Sequence, residues 1–209
     1  MEQPRRQKAQ WLLLLLVLLL GAGLRLYRVT APPDDFQAWR STQGLMIARN
    51  FFEERMNIFL PAVDWRNTEV LAERGMIGGT ELQVTPYLTA ALYHLLGTAH
   101  WVGRLVPMAF ALLGVVFCHR LAARMHNETS ATIATLLLTV SPYYLYLGRC
   151  QMPEAFAFCM LFAALLAYHA WLKTRQWRHY LPAVLFTLLM LLGKPQMGIM
   201  IVPMAYMTF

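Results

Sequence analysis

The amino-acid sequence predicts an all-α, polytopic membrane protein, and three observations lead to that class. Of its 209 residues, 58% are hydrophobic and only 14% are charged, which is too apolar for an ordinary soluble domain of this length. Long apolar runs recur along the whole chain, and such runs are typical of membrane-spanning helices. Basic residues lie at the ends of these runs rather than in one patch, so the net charge of +7 indicates membrane topology and not a nucleic-acid partner.

The first apolar run, residues 10–27, predicts a membrane span. At about 1.5 Å per residue it nearly crosses a hydrocarbon core of about 30 Å. Arg5, Arg6 and Lys8 precede it and predict a cytoplasmic N-terminus. Arg25 is expected to extend towards the lipid surface at the far end of the span. A cleaved signal peptide is the alternative, because residues 21–23 are small enough for a processing site.

Six further apolar runs lie near residues 84–97, 105–122, 131–147, 154–172, 180–193 and 197–209. Basic residues assign the turns near 120–124 and 173–178 to the cytoplasm. That assignment requires the short run at 84–97 to lie along the outer surface as an interfacial helix instead of crossing the membrane. The sequence therefore predicts about six transmembrane helices and one large external region over residues 28–104, which contains juxtamembrane helices.

This topology places acids and stray cations from distant segments on one outer face. The residues are Asp34, Asp35, Arg40, Glu81, Arg149, Glu154 and Lys194. Arg149 and Lys194 depart from the positive-inside rule there, and cations retained on the wrong side of a membrane usually have a partner or a ligand. An anionic lipid phosphate is the natural candidate for that ligand. Membrane lipid is a further expected partner.

Structural roles remain open for the acids. Asp34 or Asp35 would cap a helix that begins near Phe36 by accepting bonds from its free amides. Glu81 lies in a turn-like stretch and would simply be solvated. Glu154 lies in the first turn of a predicted helix, where a carboxylate stabilises the helix dipole.

The cations have similar alternatives. Arg40 would form a surface bridge with Glu54 or Asp35, and Arg149 would contact lipid headgroups in general. Lys194 lies in an external corner where topology gives it no role. The six histidines show no spacing typical of metal ligands, so we predict no metal-ligating residue, although a divalent metal as cofactor stays open.

Several segments together resemble the glycosyltransferases of the GT-C fold. They are WRSTQGLMIARNF at residues 39–51, GGTELQVTPYLTAALYHLLG at 78–97, WVGRLVPMAF at 101–110, RCQMPEA at 149–155 and GKP at 193–195. More narrowly, the chain resembles the bacterial-type family of protein O-mannosyltransferases and aminoarabinose transferases, in the subset with a WR..Q..MIARNF signature. The resemblance covers nearly the whole chain, and because such relatives are generally longer, we expect an N-terminal portion of a GT-C membrane domain.

The resemblance implies an inverting transfer of a sugar from a polyprenyl-phosphate donor to a glycan, lipid or protein acceptor at the outer face of the inner membrane. A lipid phosphate is already a good leaving group, but its developing charge needs cations. The acceptor hydroxyl needs a carboxylate base, for which Asp34 and Asp35 are the catalytic candidates. The expected substrate-binding residues are Arg40, Gln43, Glu81, Arg149, Glu154 and Lys194.

One departure from the family pattern concerns the base. In many relatives an Asp-Glu pair precedes an Ala-Arg-Glu-Met-like helix at short spacing. Aligning residues 47–49 with that helix puts the acidic pair on Arg40 and Ser41, so Asp34 lies six residues too early (34 against 40). Either the loop is rebuilt in this subset or the base is a different residue.

Two other classes of function remain as alternatives. A secondary transporter is commonly built from inverted repeats with polar groups at mid-membrane depth, whereas this sequence has no visible repeat and gathers its polar groups at one surface. A non-catalytic membrane scaffold would use the external region for docking. Replacing both Asp34 and Asp35 distinguishes the two functions. Loss of activity with unchanged expression would favour the enzyme, and retained function would favour the scaffold.

Overall fold

The computed structural model describes residues 2–34, 36–64 and 81–206, with side chains from residue 10 onward. Within these ranges every regular element is a helix. The elements are α1 Glu2–Leu26, α2 Ala38–Glu53, α3 Val84–Leu96, α4 His100–Met125, α5 Glu128–Val140, α6 Pro142–Leu147, α7 Glu154–Thr174, α8 Trp177–Gly193, a 3₁₀ helix Pro195–Met200 and α9 Ile201–Tyr206.

Two of the described helices, α4 and α7, are long and apolar enough to cross a membrane. Three shorter apolar stretches accompany them, namely residues 10–26 of α1, α5 and α8. The predicted all-α class is therefore confirmed for the described residues, while the number of membrane crossings stays a prediction.

Two of the predicted runs are divided. The run at 131–147 ends as α5 at Val140, because Ser141 is extended (φ −56°, ψ 124°) in front of Pro142, and a proline ring disfavours helical backbone in the residue before it. Pro142 then opens α6. The run at 197–209 begins as a 3₁₀ helix that Pro195 opens, and only then continues as α9.

The bundle is organised around α7, which packs against both α4 and α8, while α1 packs against α4 and α5. Its largest buried cluster joins Phe156, Cys159, Met160 and Leu161 of α7 to Met190 of α8. Outside this bundle, α2 packs on α3 and α3 on α4. The helices predicted for the external region thus lie beside the start of α4.

The helices have two distinct ends. At what we call the site end, α1 finishes and α4 begins, and Arg104 Nη2 of α4 donates to the carbonyl of Ala31 at 2.9 Å. Arg149 Nη2 also reaches this end, donating to the carbonyl of Tyr27 at 2.6 Å. At the opposite end, which we call the basic end, Gln10 and Trp11 of α1 lie beside the last turns of α4.

Arg25 differs from its predicted position. It is 1% exposed and donates to the carbonyl oxygens of Gly21 at 3.0 Å and Tyr144 at 3.3 Å. Its guanidinium also lies 5.4 Å from the ring centre of Tyr144, a cation–π distance. The expectation that Arg25 extends to the lipid surface is therefore wrong, because carbonyls and an aromatic ring inside the bundle bind it.

Candidate functional site

The loop between α6 and α7, residues 148–153, is held against α2 and α3 by one residue, Gln151. Gln151 donates from its backbone N–H to Ser41 Oγ of α2 at 3.2 Å and from Nε2 to Thr89 Oγ1 of α3 at 2.8 Å. Gly44 of α2 permits this approach, since a Cβ at that position would lie 2.3 Å from the carbonyl oxygen of Gln151. The first residue of α7, Glu154, is thereby positioned beside α2.

Four charged side chains from four distant segments meet next to this loop. Arg40 Nη1 lies 3.1 Å from Glu154 Oε1. Lys194 Nζ lies 3.0 Å from the same oxygen and 3.1 Å from Glu81 Oε1. We call Arg40, Glu81, Glu154 and Lys194 the site cluster.

The site cluster is largely removed from solvent. The side chains are 8% exposed for Glu154, 14% for Lys194, 16% for Glu81 and 25% for Arg40. Two cations face two carboxylates, so their formal charges cancel, as buried charges require. Arginine and lysine held in this way can also donate charge-assisted hydrogen bonds to an anion that enters the site.

Three buried polar atoms, one in the site cluster and two in the loop before α7, have no hydrogen-bond partner among the described residues. They are Arg149 Nε, Gln151 Oε1 and Glu154 Oε2. Buried polar atoms in folded proteins are nearly always hydrogen-bonded, so each exception needs an explanation. One donor and two acceptors within six residues fit a polar ligand that carries both hydroxyl and anionic groups.

The remaining predicted site residues lie around this cluster. Asp34 Oδ2 is 3.1 Å from Arg28 Nη2, and both side chains are about half exposed. Gln43 is partly buried on α2, one turn after Arg40. Asp35 lies outside the described residues. The structure thus brings together Arg40, Glu81, Glu154 and Lys194, places Arg149 in the adjoining loop, and pairs Asp34 elsewhere.

Two structural alternatives can be compared with these contacts. Gln37, not Asp34, occupies the N-cap position of α2, so a capping role does not account for Asp34. Arg40 forms a largely buried pair with Glu154 in place of a surface bridge. Glu154 does lie in the first turn of α7, directly after Pro153, so it combines a favourable position at the helix N-terminus with its two ion pairs.

Sequence reasoning missed the residues that hold the site in place. Gln151, Ser41 and Thr89 form the contacts that position the loop, and Arg104, which is 7% exposed, anchors the segment before Asp34. Gln151 could have been found inside the RCQMPEA corner, where a polar residue precedes Pro153. Ser41 and Thr89 carry no comparable signal.

A cavity of about 610 Å³ adjoins the other side of α2. Arg49, which lines it, follows Arg40 by nine residues and therefore points from the opposite face of the helix, at about 100° per residue. The residues that line this cavity include Thr42, Met46, Arg49, Asp64 and His100. Arg49 pairs there with Asp64, so α2 separates two polar regions at the site end.

No group of three or more His, Cys, Asp or Glu side chains in the described residues is arranged as metal ligands would be. The site cluster has only two carboxylates, and each already binds a cation of the protein.

The described residues form a helical bundle that has a buried ionic site at one end and two helices long and apolar enough to cross a membrane. Residues 83–209 match the family described as dolichyl-phosphate-mannose-protein mannosyltransferase, and the chain belongs to that family. The family indicates a membrane glycosyltransferase of the mannosyltransferase kind, which uses a lipid-linked sugar donor and an acceptor. No curated protein and no solved structure matches the chain significantly.

The family match covers only part of the site. Arg149, Glu154 and Lys194 lie within residues 83–209, whereas Arg40 and Glu81 precede them. The contacts of Glu154 with Arg40 and of Lys194 with Glu81 therefore connect the matched segment to the region before it.

Proposed function

We propose that the protein transfers a sugar, with inversion at the anomeric carbon, from a polyprenyl-phosphate donor to an acceptor hydroxyl at the outer face of the inner membrane. The observation that supports it most is the site cluster. Two cations from different parts of the chain meet at Glu154, and unpaired polar atoms lie beside them.

Arg40 and Lys194 are the proposed ligands of the donor phosphate. Their hydrogen bonds to Glu154 and Glu81 hold both cations in position, so an incoming phosphate meets preorganised donors. Arg149 contributes its free Nε from the adjoining loop. Gln43, Glu81 and Glu154 would bind sugar hydroxyls, which both donate and accept hydrogen bonds.

The reaction needs one base. The acceptor oxygen attacks the anomeric carbon from the side opposite the phosphate, and the carbon–oxygen bond to the phosphate breaks. The base takes the hydroxyl proton, and the electron pair of the broken bond leaves with the polyprenyl phosphate. Asp34 or Asp35 is the proposed base, and the half-exposed position of Asp34 leaves it open to an acceptor from outside.

The proposal includes a finer assignment within the family. The WR..Q..MIARNF segment lies on α2, beside the site, and the RCQMPEA and GKP corners supply Glu154 and Lys194 to the site cluster. These placements support the subset that resembles bacterial protein O-mannosyltransferases and aminoarabinose transferases. We also propose a multi-pass GT-C bundle with a cytoplasmic N-terminus and residues 28–104 outside.

One experiment separates donor binding from transfer. The full chain is reconstituted in proteoliposomes with a photoreactive polyprenyl-phosphate mannose, and both cross-linking and mannose transfer to membrane acceptors are measured. In the Arg40→Gln/Lys194→Gln variant the yield of donor cross-linking should fall about tenfold or more, because the charged hydrogen bonds to the donor phosphate are removed. The Asp34→Asn/Asp35→Asn variant should keep cross-linking and lose transfer.

Glu53→Gln is the matched control, because Glu53 is an exposed acid of the same external region that lies outside the site cluster. It should leave both signals unchanged. Retained transfer in the double aspartate variant would overturn the assignment of the base. Absence of any donor cross-linking to the unmodified chain would favour the scaffold alternative.

A further inference from the structure

The basic end of the bundle contains a second polar cavity, of about 460 Å³. It lies where the start of α1, the last turns of α4 and the first residue of α5 come together. Its lining residues are Gln10, Trp11, His119, Arg120, Ala123, Arg124 and Glu128. None of them belongs to the site cluster, which the length of α4 and α7 separates from this cavity.

The cavity is positively charged. Arg120 and Arg124 are one helical turn apart on α4, and both are exposed. Glu128 is the one acid among the lining residues whose side chains the structure describes, and its side chain is 43% exposed. Further basic residues, Lys173 and Arg178, flank the turn between α7 and α8 at the same end, so the electrostatic potential there favours an anion.

His119 supplies an independent sign of a ligand. Its side chain is 8% exposed, and Nε2 has no hydrogen-bond partner in the described part of the chain. Glu128 Oε2 is 3.8 Å from this nitrogen, which is too long for a hydrogen bond. A buried ring nitrogen of a residue that lines this cavity therefore lacks the partner that such atoms normally have.

The surroundings of the cavity are those of a lipid headgroup. Trp11 is 55% exposed, and exposed tryptophan is typical of the membrane–water interface. From there α1 continues with exposed leucines, including Leu12 at 57% and Leu16 at 52%. A molecule with its charged part in the cavity could thus lay acyl chains along this apolar surface.

We propose that this cavity binds the phosphate headgroup of an anionic glycerophospholipid from the leaflet at the basic end. Arg120 and Arg124 bind the phosphate oxygens by charge-assisted hydrogen bonds, and His119 Nε2–H donates a further one. Basic pockets between membrane helices bind such headgroups in the same way. The proposal is independent of the sugar-transfer proposal, since the two sites share no residue.

The test compares lipids bound to the full chain. The protein is reconstituted in vesicles of phosphatidylcholine and phosphatidylglycerol in equal parts, extracted with mild detergent, and examined by native mass spectrometry. The unmodified chain should retain phosphatidylglycerol in preference to phosphatidylcholine. Arg120→Gln/Arg124→Gln should weaken phosphatidylglycerol retention about tenfold, and its folding is checked by gel filtration, because both side chains are exposed.

Lys173→Gln/Arg178→Gln is the matched control, since it removes the same charge from exposed positions at the same end but outside the cavity. It should keep the preference. Equal losses in the two variants would overturn the proposal in favour of diffuse attraction to the membrane surface. Competition by glycerol phosphate as effective as that by phosphatidylglycerol would also overturn it, because free phosphate would then suffice.

Discussion

The two ends of the bundle use the same kinds of charged residue in opposite ways. At the site end, Arg40 and Lys194 are largely buried, and each lies within 3.1 Å of a carboxylate oxygen of the protein. At the basic end, Arg120 and Arg124 are exposed and lie in the same cavity lining as Glu128. Buried charges must be balanced inside the protein, whereas exposed ones are balanced by solvent or by lipid.

This difference sets the size of the effects that substitutions should have. Removing one member of a buried ion pair leaves an uncompensated charge in a region of low dielectric constant, which costs about 3–5 kcal/mol. Removing an exposed partner costs about 0–1 kcal/mol. Equivalent substitutions at the two ends therefore test whether the free energy of unfolding falls more at the site end than at the basic end.

The largest effect is expected for Glu154→Gln. The amide keeps the size of the side chain but removes the charge that Arg40 and Lys194 share. Because Lys194 keeps Glu81 and Arg40 is 25% exposed, we expect a loss near the lower limit, about 3 kcal/mol in the free energy of unfolding. Denaturant unfolding in detergent micelles measures it.

Glu128→Gln is the corresponding substitution at the basic end. Its carboxylate is 43% exposed and 3.8 Å from His119 Nε2, so the loss should stay below about 1 kcal/mol. Equal losses for the two variants would contradict the buried, mutually balanced character of the site cluster.

The next largest effect concerns the contact between α2 and the loop at 148–153, which positions Glu154. In Gly44→Ala the new methyl group would lie 2.3 Å from the carbonyl oxygen of Gln151, so the loop at 148–153 must move away from α2. Overpacking of this kind costs about 1–3 kcal/mol. It should also lower donor cross-linking, because Glu154 follows that loop directly.

Gly23→Ala is the control for this substitution. A Cβ at Gly23 meets no described atom within 4 Å, and alanine favours a helix over glycine by about 1 kcal/mol. This variant should therefore be neutral or more stable. If both alanine variants unfold alike, the close contact between α2 and the loop does not exist in the protein.

How far the sequence predicts this molecule depends on whether a feature is local. The apolar runs predict the bounds of α3, α7 and α8 within three residues, because each helix follows from its own composition. They predict the end of α1 equally well, but α1 begins at Glu2, eight residues before the predicted run. The topology rule also selects Arg40, Glu81, Glu154 and Lys194 as residues of one face. The topology rule does not predict which of these residues form ion pairs, since Arg40 and Glu154 lie 114 positions apart in the chain.

The contact that creates this pairing has little trace in the sequence. Gly44 of α2 lies close to a backbone oxygen of Gln151. A contact with the backbone does not depend on apolar side chains, so it leaves no hydrophobic pattern in the sequence. Residues 131–147 were predicted as one run, but the break before Pro142 has a signal in the sequence, because a proline restricts the residue that precedes it. Buried Arg25 was missed for the same reason as the pairing, since its ligands at Tyr144 are distant in the chain.

The smallest effect concerns how helices begin at the two ends. At the basic end, Asn127 Oδ1 accepts a hydrogen bond from the Ser130 N–H at 2.9 Å and caps α5. At the site end, Gln37 precedes α2 without a side-chain cap in the described structure. Asn127→Ala should therefore lower the free energy of unfolding by about 1 kcal/mol, while Asn127→Ser restores it and Gln37→Ala changes it by less than about 0.5 kcal/mol. Thermal unfolding of the three variants side by side measures these differences, and an equal loss at Asn127 and Gln37 would show that α5 does not depend on its cap.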